Sequence, residues 1–157
     1  MSNSDDLPDL DLPSRADELI CFALYTANHA MNRSYQPHLS ALGLTYPQYI
    51  ALVGLWEGDG ITVGQLCKRL FSETSTLTPV LKRLEKLGHI ERQRGKQDER
   101  QVFLYLTPSG RSLEKEAPNI TDCIVTDTGV PLDKLSELVV AIGAMRDSLL
   151  KNRNSRG

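Results

Sequence analysis

The side chains in this sequence best suited to covalent chemistry are three widely spaced cysteines, Cys21, Cys67 and Cys123. A thiolate attacks a peroxide oxygen and becomes a sulfenic acid, which a second cysteine can trap as a disulfide. Cys21 stands four residues before Tyr25, so the two share one face of a helix, and Tyr35 follows fourteen residues after Cys21. A phenol O–H donated to sulfur favours the charged thiolate, and it can also orient a peroxide oxygen. The same pattern fits a cysteine that is simply a small packed residue, and periodicity does not separate the two readings. Cys67, beside Leu66 and Leu70, reads as packing. Cys123 falls in a Thr-rich stretch from 118 to 131 that reads as loose, where mobility would let it reach another thiol. The cysteines lack the close pairing of a zinc knuckle and the even count of a secreted disulfide scaffold. His29, His38 and His89 show no ligand spacing with them. Neither a metal nor a cofactor is expected.

A second constellation is polar and cationic. Between Thr74 and Lys86 the hydroxyls Thr74, Ser75, Thr76 and Thr78 come first, and the cations Lys82, Arg83 and Lys86 follow. Short polar side chains suit base edges, cations suit phosphates, and a helix N-terminus adds backbone N–H groups that favour an anion. Arg94, Lys96 and Arg100 lie a few residues on, around a charged loop, and arginine is drawn to narrow minor grooves. Cations on a single helix are usually no more than a solvated face; what points to double-stranded DNA is their succession, helix-turn-helix and then basic loop. From Thr62 to Leu106 nine Lys/Arg oppose five Asp/Glu, a local balance of +4, so the chain's net −2 leaves −6 elsewhere. A basic middle between acidic flanks is the charge footprint of a polyanion contact.

The elements that must hold these groups are readable from spacing. A proline-broken acidic arm over 1–13 precedes Ser14 and Asp17, an N-cap and a first-turn carboxylate. Leu19, Ile20, Ala23, Leu24, Ala27 and Met31 predict a helix from Arg15 to about Arg33, broken at Tyr35-Gln36-Pro37. Its apolar stripe needs a partner. Thr45 and Pro47 open a second helix with Ile50, Leu52, Val53 and Trp56 inward, stopped by Gly58-Asp59-Gly60. Thr62 to Leu70, a polar turn from Ser72 to Ser75, and Thr76 to Leu87 ended by Gly88 form a helix-turn-helix. The period then changes to two: His89 to Arg94 and Gln101 to Leu106 make a hairpin around the loop Gly95 to Arg100. Thr107-Pro108 caps a helix to about Ala117, and after the 118–131 stretch an amphipathic helix runs from Leu132 to Leu150. The expected fold is mostly α with a small β-hairpin wing, a winged helix-turn-helix whose N- and C-terminal helices pair two chains. One domain covers 14–157, with dimerisation helices at 14–45 and 107–150 and the winged helix-turn-helix at 46–106.

With 157 residues, 40% hydrophobic and 24% charged, the composition is that of one ordinary globular domain. No apolar run approaches the roughly 20 residues a bilayer span needs. The acidic, proline-broken start differs from a secretory signal. The expected compartment is the cytoplasm, where the thiols rest reduced.

Cys21-Phe-Ala-Leu-Tyr25, Leu44-Thr-Tyr-Pro-Gln-Tyr49, Leu55-Trp-Glu57, Thr76-Leu-Thr-Pro-Val-Leu-Lys-Arg-Leu-Glu85, Asp98-Glu-Arg100 and Leu106-Thr107 together resemble the MarR family over about Leu19 to Ala117. The first two pieces narrow the resemblance to the organic-hydroperoxide-sensing repressors of the OhrR type. The resemblance implies that Cys21 is the sensing thiol, that Tyr35 and Tyr46 from the other subunit hydrogen-bond it, and that Tyr25 borders the same pocket. It also implies that Arg100 belongs to a wing that enters the minor groove, and that Thr74 to Thr78 open the recognition helix. Cys123 matches the resolving cysteine of a two-cysteine subgroup, which forms an intersubunit disulfide. Where relatives usually carry Asp-Ser-Gly, this chain has Glu73-Thr74-Ser75. The function implied is a homodimeric repressor, not an enzyme, that leaves a pseudo-palindromic operator when an organic hydroperoxide oxidises Cys21 and so derepresses peroxide-resistance genes. Two alternatives stand beside it: a MarR-type repressor released by a noncovalent small aromatic ligand, with Cys21 merely packing, and a thiol peroxidase using Cys21 and Cys123, which leaves the basic wing unexplained.

Overall fold

Helix α1 spans Ile20–Ala41. One 3-10 turn, Ala16–Glu18, and an extended Leu19 precede it, so the helix starts later than Arg15. The computed structural model describes residues 15–155; the expected arm over 1–13, the Ser14 cap and the Asp17 side chain lie outside what it describes. Contrary to the expected break, α1 passes straight through Pro37. A proline within a helix costs about 3 kcal/mol. Packing beyond it opposes that cost: Leu39 is 2% exposed and Tyr35 packs against the same core, and burying one leucine alone supplies about 1.5–3 kcal/mol.

Helix α2, Tyr46–Trp56, opens as expected at Thr45, whose N–H donates to the Gln48 side chain at 2.8 Å. It is buried on nearly every side, with Ala51, Leu52 and Leu55 fully enclosed. A two-residue strand β1, Ile61–Thr62, leads directly into α3, Val63–Arg69. Thr62 serves both: it pairs with Phe103 in the sheet and caps α3 through Gln65 N–H to Thr62 Oγ1 at 3.1 Å, while its own N–H donates to Gln65 Oε1 at 2.8 Å. Helix α4, Thr74–Lys86, begins two residues earlier than the expected Thr76, taking in Thr74 and Ser75 from the expected turn, and buries Leu77, Leu81 and Leu84 at helical spacing. Glu73 at its N-cap makes no side-chain cap bond.

Strands β2, Ile90–Arg94, and β3, Val102–Leu106, form the expected antiparallel hairpin, with Ile90 opposite Leu106 and Arg94 opposite Val102. Sheet order is β1-β3-β2. The β1 strand was not expected. Thr107 caps α5, Pro108–Ser112, by accepting from Gly110 N–H at 3.1 Å. Position 110 must be glycine: a Cβ there would run into the carbonyl oxygen of His89, the residue just before β2, while the Gly110 carbonyl accepts the Trp56 indole N–H at 3.0 Å. These contacts lock α2, the hairpin and α5 together.

After a 3-10 turn at Leu113–Glu116, α6 covers Ala117–Thr128 and α7 covers Leu132–Ser155. The stretch from 118 to 131 is therefore largely helical, not loose. Pro118 sits in its first turn, Ile120 and Ile124 face the core, and Gly129 closes it in the left-handed conformation, φ +63°. Among the described residues no helix is long and apolar enough to cross a membrane. The fold is a winged helix with long helical arms.

Candidate thiol pocket and nucleic-acid interface

Cys21 occupies the first turn of α1 and is exposed. Tyr25, one turn on, is exposed too, its ring meeting His29 edge-on with centroids 4.6 Å apart. Tyr35 and Tyr46 are half-buried and in contact, centroids 5.0 Å apart, and Tyr35 lies 6.0 Å from Tyr49. Fourteen residues at about 1.5 Å each put Tyr35 about 21 Å along α1 from Cys21. Within one protomer the thiol and the tyrosine cluster are at opposite ends of a helix.

Cys123 lies at the tyrosine end. It is exposed on α6 and lines a cavity of about 290 Å³ with Pro37, His38 and Leu42. Ser34 Oγ donates to the Asp127 carboxylate while Cys123 lies beside Pro37 and His38, so α6 runs antiparallel to α1. Burial pushes the Tyr35, Tyr46 and Tyr49 phenols above their usual value. Ionised Tyr46 and Tyr49 would raise Tyr35 further; at Tyr49 a Thr121 hydrogen bond opposes the rise and Tyr46 adds to it. All three therefore remain neutral O–H donors well above neutral pH. Cys67 is buried against α4, its Sγ 3.8 Å from Thr74 Oγ1, in keeping with the packing role read from its neighbours.

The hydroxyl and cation run of α4 divides in space. Ser75, Thr76, Lys82, Arg83 and Lys86 are exposed. Thr78 is half-buried and spends its hydroxyl on Thr74 O at 2.7 Å. Thr74, Thr78 and Arg100 share a cleft of about 380 Å³ between α4 and the hairpin, with Arg92 and Gln101. Arg94 and Lys96 are exposed on the wing. Its loop is closed by Gly95 N–H to Gln101 O at 2.8 Å and shaped by Asp98, which accepts from Arg100 N–H at 3.0 Å.

Two carboxylates that sequence reasoning passed over hold this surface in place. Glu85 on α4 accepts from Arg92 Nε at 2.8 Å and from Arg92 N–H at 3.2 Å, tying β2 to the helix. Asp59 accepts from Leu106 N–H at 2.7 Å and from Arg111 at 2.9 Å, joining the turn after α2 to β3 and α5. Burial alone would raise the Asp59 carboxyl, but the Leu106 N–H and the Arg111 guanidinium outweigh it and hold it below the usual value. The signal for Glu85 was its place in the α4 motif; Asp59, between two glycines, looked like a turn residue only.

Large apolar side chains remain exposed along both arms: Ile20, Phe22, Tyr25 and Met31 on α1, and Leu132, Val139, Val140 and Leu149 on α7. Past its midpoint α7 touches the helix-turn-helix, Arg146 lying 3.6 Å over the Phe71 ring. Exposed apolar surface of this extent marks an interaction face.

A helix-turn-helix with an adjoining cationic hairpin, carried on helical arms, defines a winged-helix transcriptional regulator rather than an enzyme. Residues 33–117 match the family described as transcriptional regulator SarA/Rot. The HTH-type transcriptional regulator TtmR of Methylorubrum extorquens is 43% identical over 88% of this chain and 71% of that relative. The organic hydroperoxide resistance transcriptional regulator of Bacillus subtilis is 36% identical over 86% of this chain and 92% of its own length. Among solved structures, reduced AbfR bound to DNA superposes with a TM-score of 0.69 at 29% identity, covering 83% of this chain and 91% of that one. The chain belongs to the MarR/SarA family of DNA-binding transcriptional regulators.

Proposed function

We propose that the protein is a cytoplasmic repressor that holds a pseudo-palindromic operator as a two-fold dimer and releases it when an organic hydroperoxide oxidises Cys21. One observation carries this reading: Cys21 stands at one end of α1, while the neutral phenols of Tyr35 and Tyr46, and Cys123 beside them, stand at the other. A second copy docked antiparallel through the exposed faces of α1 and α7 brings each Cys21 to its partner's tyrosine end, with Tyr25 at the margin. The likeness to a relative named for organic hydroperoxide resistance favours that signal.

In the proposed step the Cys21 thiolate attacks the outer peroxide oxygen, the O–O bond breaks, and the alkoxide leaves as an alcohol after taking a proton. The tyrosine phenols donate hydrogen bonds to the thiolate and to the departing oxygen. The Cys123 thiol of the other subunit then attacks the sulfenic sulfur; an S–S bond forms and water leaves. On DNA, Ser75, Thr76 and the start of α4 meet base edges and phosphate in the major groove. Lys82, Arg83 and Lys86 meet phosphates, and Arg94, Lys96 and Arg100 reach the minor groove. Reversing a 99:1 preference for the binding-competent form requires about 5.5 kcal/mol of differential stabilisation, which a covalent link between subunits supplies.

The test is operator binding by fluorescence anisotropy for wild type and Cys21→Ser, before and after one equivalent of cumene hydroperoxide and then dithiothreitol. Reversible release in wild type alone is expected. Release of the Cys21→Ser protein by hydroperoxide sinks the proposal, and release by a small aromatic ligand under reducing conditions would favour the noncovalent alternative.

A further inference from the structure

Helix α3 ends at a position where glycine is usual and this chain has phenylalanine. Beyond the Leu70 cap, Phe71 N–H donates to Lys68 O at 3.4 Å and Ser72 N–H donates to Cys67 O at 2.9 Å. Such a pair of bonds closes a helix through one residue in the left-handed region. Phe71 fills that place at φ +51°, the one non-glycine among the described residues with a positive φ. A side chain there brings its Cβ too close to a backbone carbonyl oxygen, a cost glycine does not carry. Burial returns little, since 57% of Phe71 is exposed. Neither backbone preference nor the hydrophobic effect therefore accounts for an aromatic ring in this turn. A contact from another element does: the Arg146 guanidinium of α7 lies 3.6 Å from the ring centroid, within range of a cation–π attraction.

Only Ser72 and Glu73 separate Phe71 from the first residue of α4, so whatever holds the ring holds the entry to the recognition helix. Arg146 is itself steadied on α7, where Asp147 accepts from its Nε at 2.9 Å and lies 2.8 Å from a terminal nitrogen. Among the described residues α7 has no extensive interface with its own chain, which makes this grip on the turn a direct link between the arm and the DNA-contacting body. We propose that Phe71 and Arg146 are positioning residues for operator binding, each α7 arm holding its own recognition helix by this ring. In the two-fold dimer proposed above, on which this role rests, the two grips fix the placement of one recognition helix against the other. Half-sites lie about one helical turn apart on DNA, so a small shift in that placement forfeits base contacts. Neither residue touches DNA, and neither takes part in the thiol chemistry.

A duplex selected by the wild-type protein from a random pool serves as the operator, with versions carrying one base pair more or fewer between the half-sites. Full-length proteins are titrated with each by fluorescence anisotropy under reducing conditions. Arg146→Gln and Phe71→Leu should each lose about fivefold in affinity for the selected duplex and most of the discrimination against the altered spacings. The double substitution should lose no more than either alone, and Phe71→Tyr, which keeps a ring, should bind as wild type does. Phe71→Gly should lose affinity equally with its urea midpoint close to that of wild type, relief of the left-handed strain offsetting the lost contact. The slope of log affinity against log salt should not change, whereas a phosphate contact by Arg146 would make Arg146→Gln shallower by about one. Variants that keep the wild-type spacing preference, additive losses in the double variant, or that shallower slope would each overturn the proposal. A wild type indifferent to spacing would instead remove the dimer, and this role with it.

Discussion

If Cys21 and Cys123 meet only across a dimer, two crippled proteins should repair each other. A disulfide requires Cα atoms within about 7 Å. In one chain Cys21 is sixteen residues from Pro37, which lines the cavity beside Cys123, and at about 1.5 Å per residue that is about 24 Å of rigid helix. The Cys21→Ser protein keeps the second thiol and lacks the first; Cys123→Ser is the converse. Neither homodimer can form the link. When the two are unfolded together, refolded and treated with one equivalent of cumene hydroperoxide, random pairing places about half of the dimers in the mixed form, each with one intact cross-subunit pair in a two-fold assembly. Non-reducing electrophoresis should therefore show up to about half of the protein as a covalent dimer that dithiothreitol dissolves, with each parent alone monomeric under the same treatment. Peptide mapping should join the Cys21 peptide to the Cys123 peptide. The reasoning is refuted if the mixture stays monomeric while oxidised wild type yields that same peptide pair within a single chain.

Replacing Gly110 by alanine should destabilise the fold by about 1–3 kcal/mol, the usual penalty of overpacking, since the added methyl meets the His89 backbone; urea unfolding followed at Trp56 measures it. Asp59 predicts a pH dependence. Its carboxyl is held below the unfolded value, so the stabilisation it gives is complete above about pH 4 and disappears as pH falls through the folded-state value. The urea midpoint of wild type should thus drop on the acid side, and that of Asp59→Asn should drop less. Arg92→Gln should loosen the wing by removing its bond to Glu85, costing about 1 kcal/mol for a pair with this much solvent contact and weakening operator binding more than the far-ultraviolet dichroism changes.

Much of the fold was legible because packing and local signals agreed. The apolar spacing of α4, the proline and threonine that open α2, and the change to period two at the hairpin all describe what formed. Three features were hidden. The continuation of α1 past Pro37 depends on Leu39 and Tyr35 finding a core in α2 and α6, which no local pattern reveals. Helix α6 carries threonines that favour other conformations, yet Thr121 and Thr126 return their hydroxyls to the carbonyls four residues back; Pro118 and Gly129 were its readable boundaries. Strand β1 exists only through β3, with Gly60 N–H donating to Leu104 O at 2.7 Å just before it. The site was legible as a set of residue types. Its separation into two ends of one helix became visible only with α1 at full length.

Thr62 belongs at once to the sheet that carries the wing and to the cap of the first helix of the helix-turn-helix. With Glu85 clamping the hairpin to α4 and Asp59 clamping it to α5, hairpin and recognition helix behave as one stiff lever rather than as two fingers on separate joints. In the proposed dimer, motion of the arms then has only the relative placement of two such levers to alter. A half-site would be let go as a whole, groove and phosphate contacts failing together, and loss of the wing's grip on DNA should be inseparable in time from loss of the helix's.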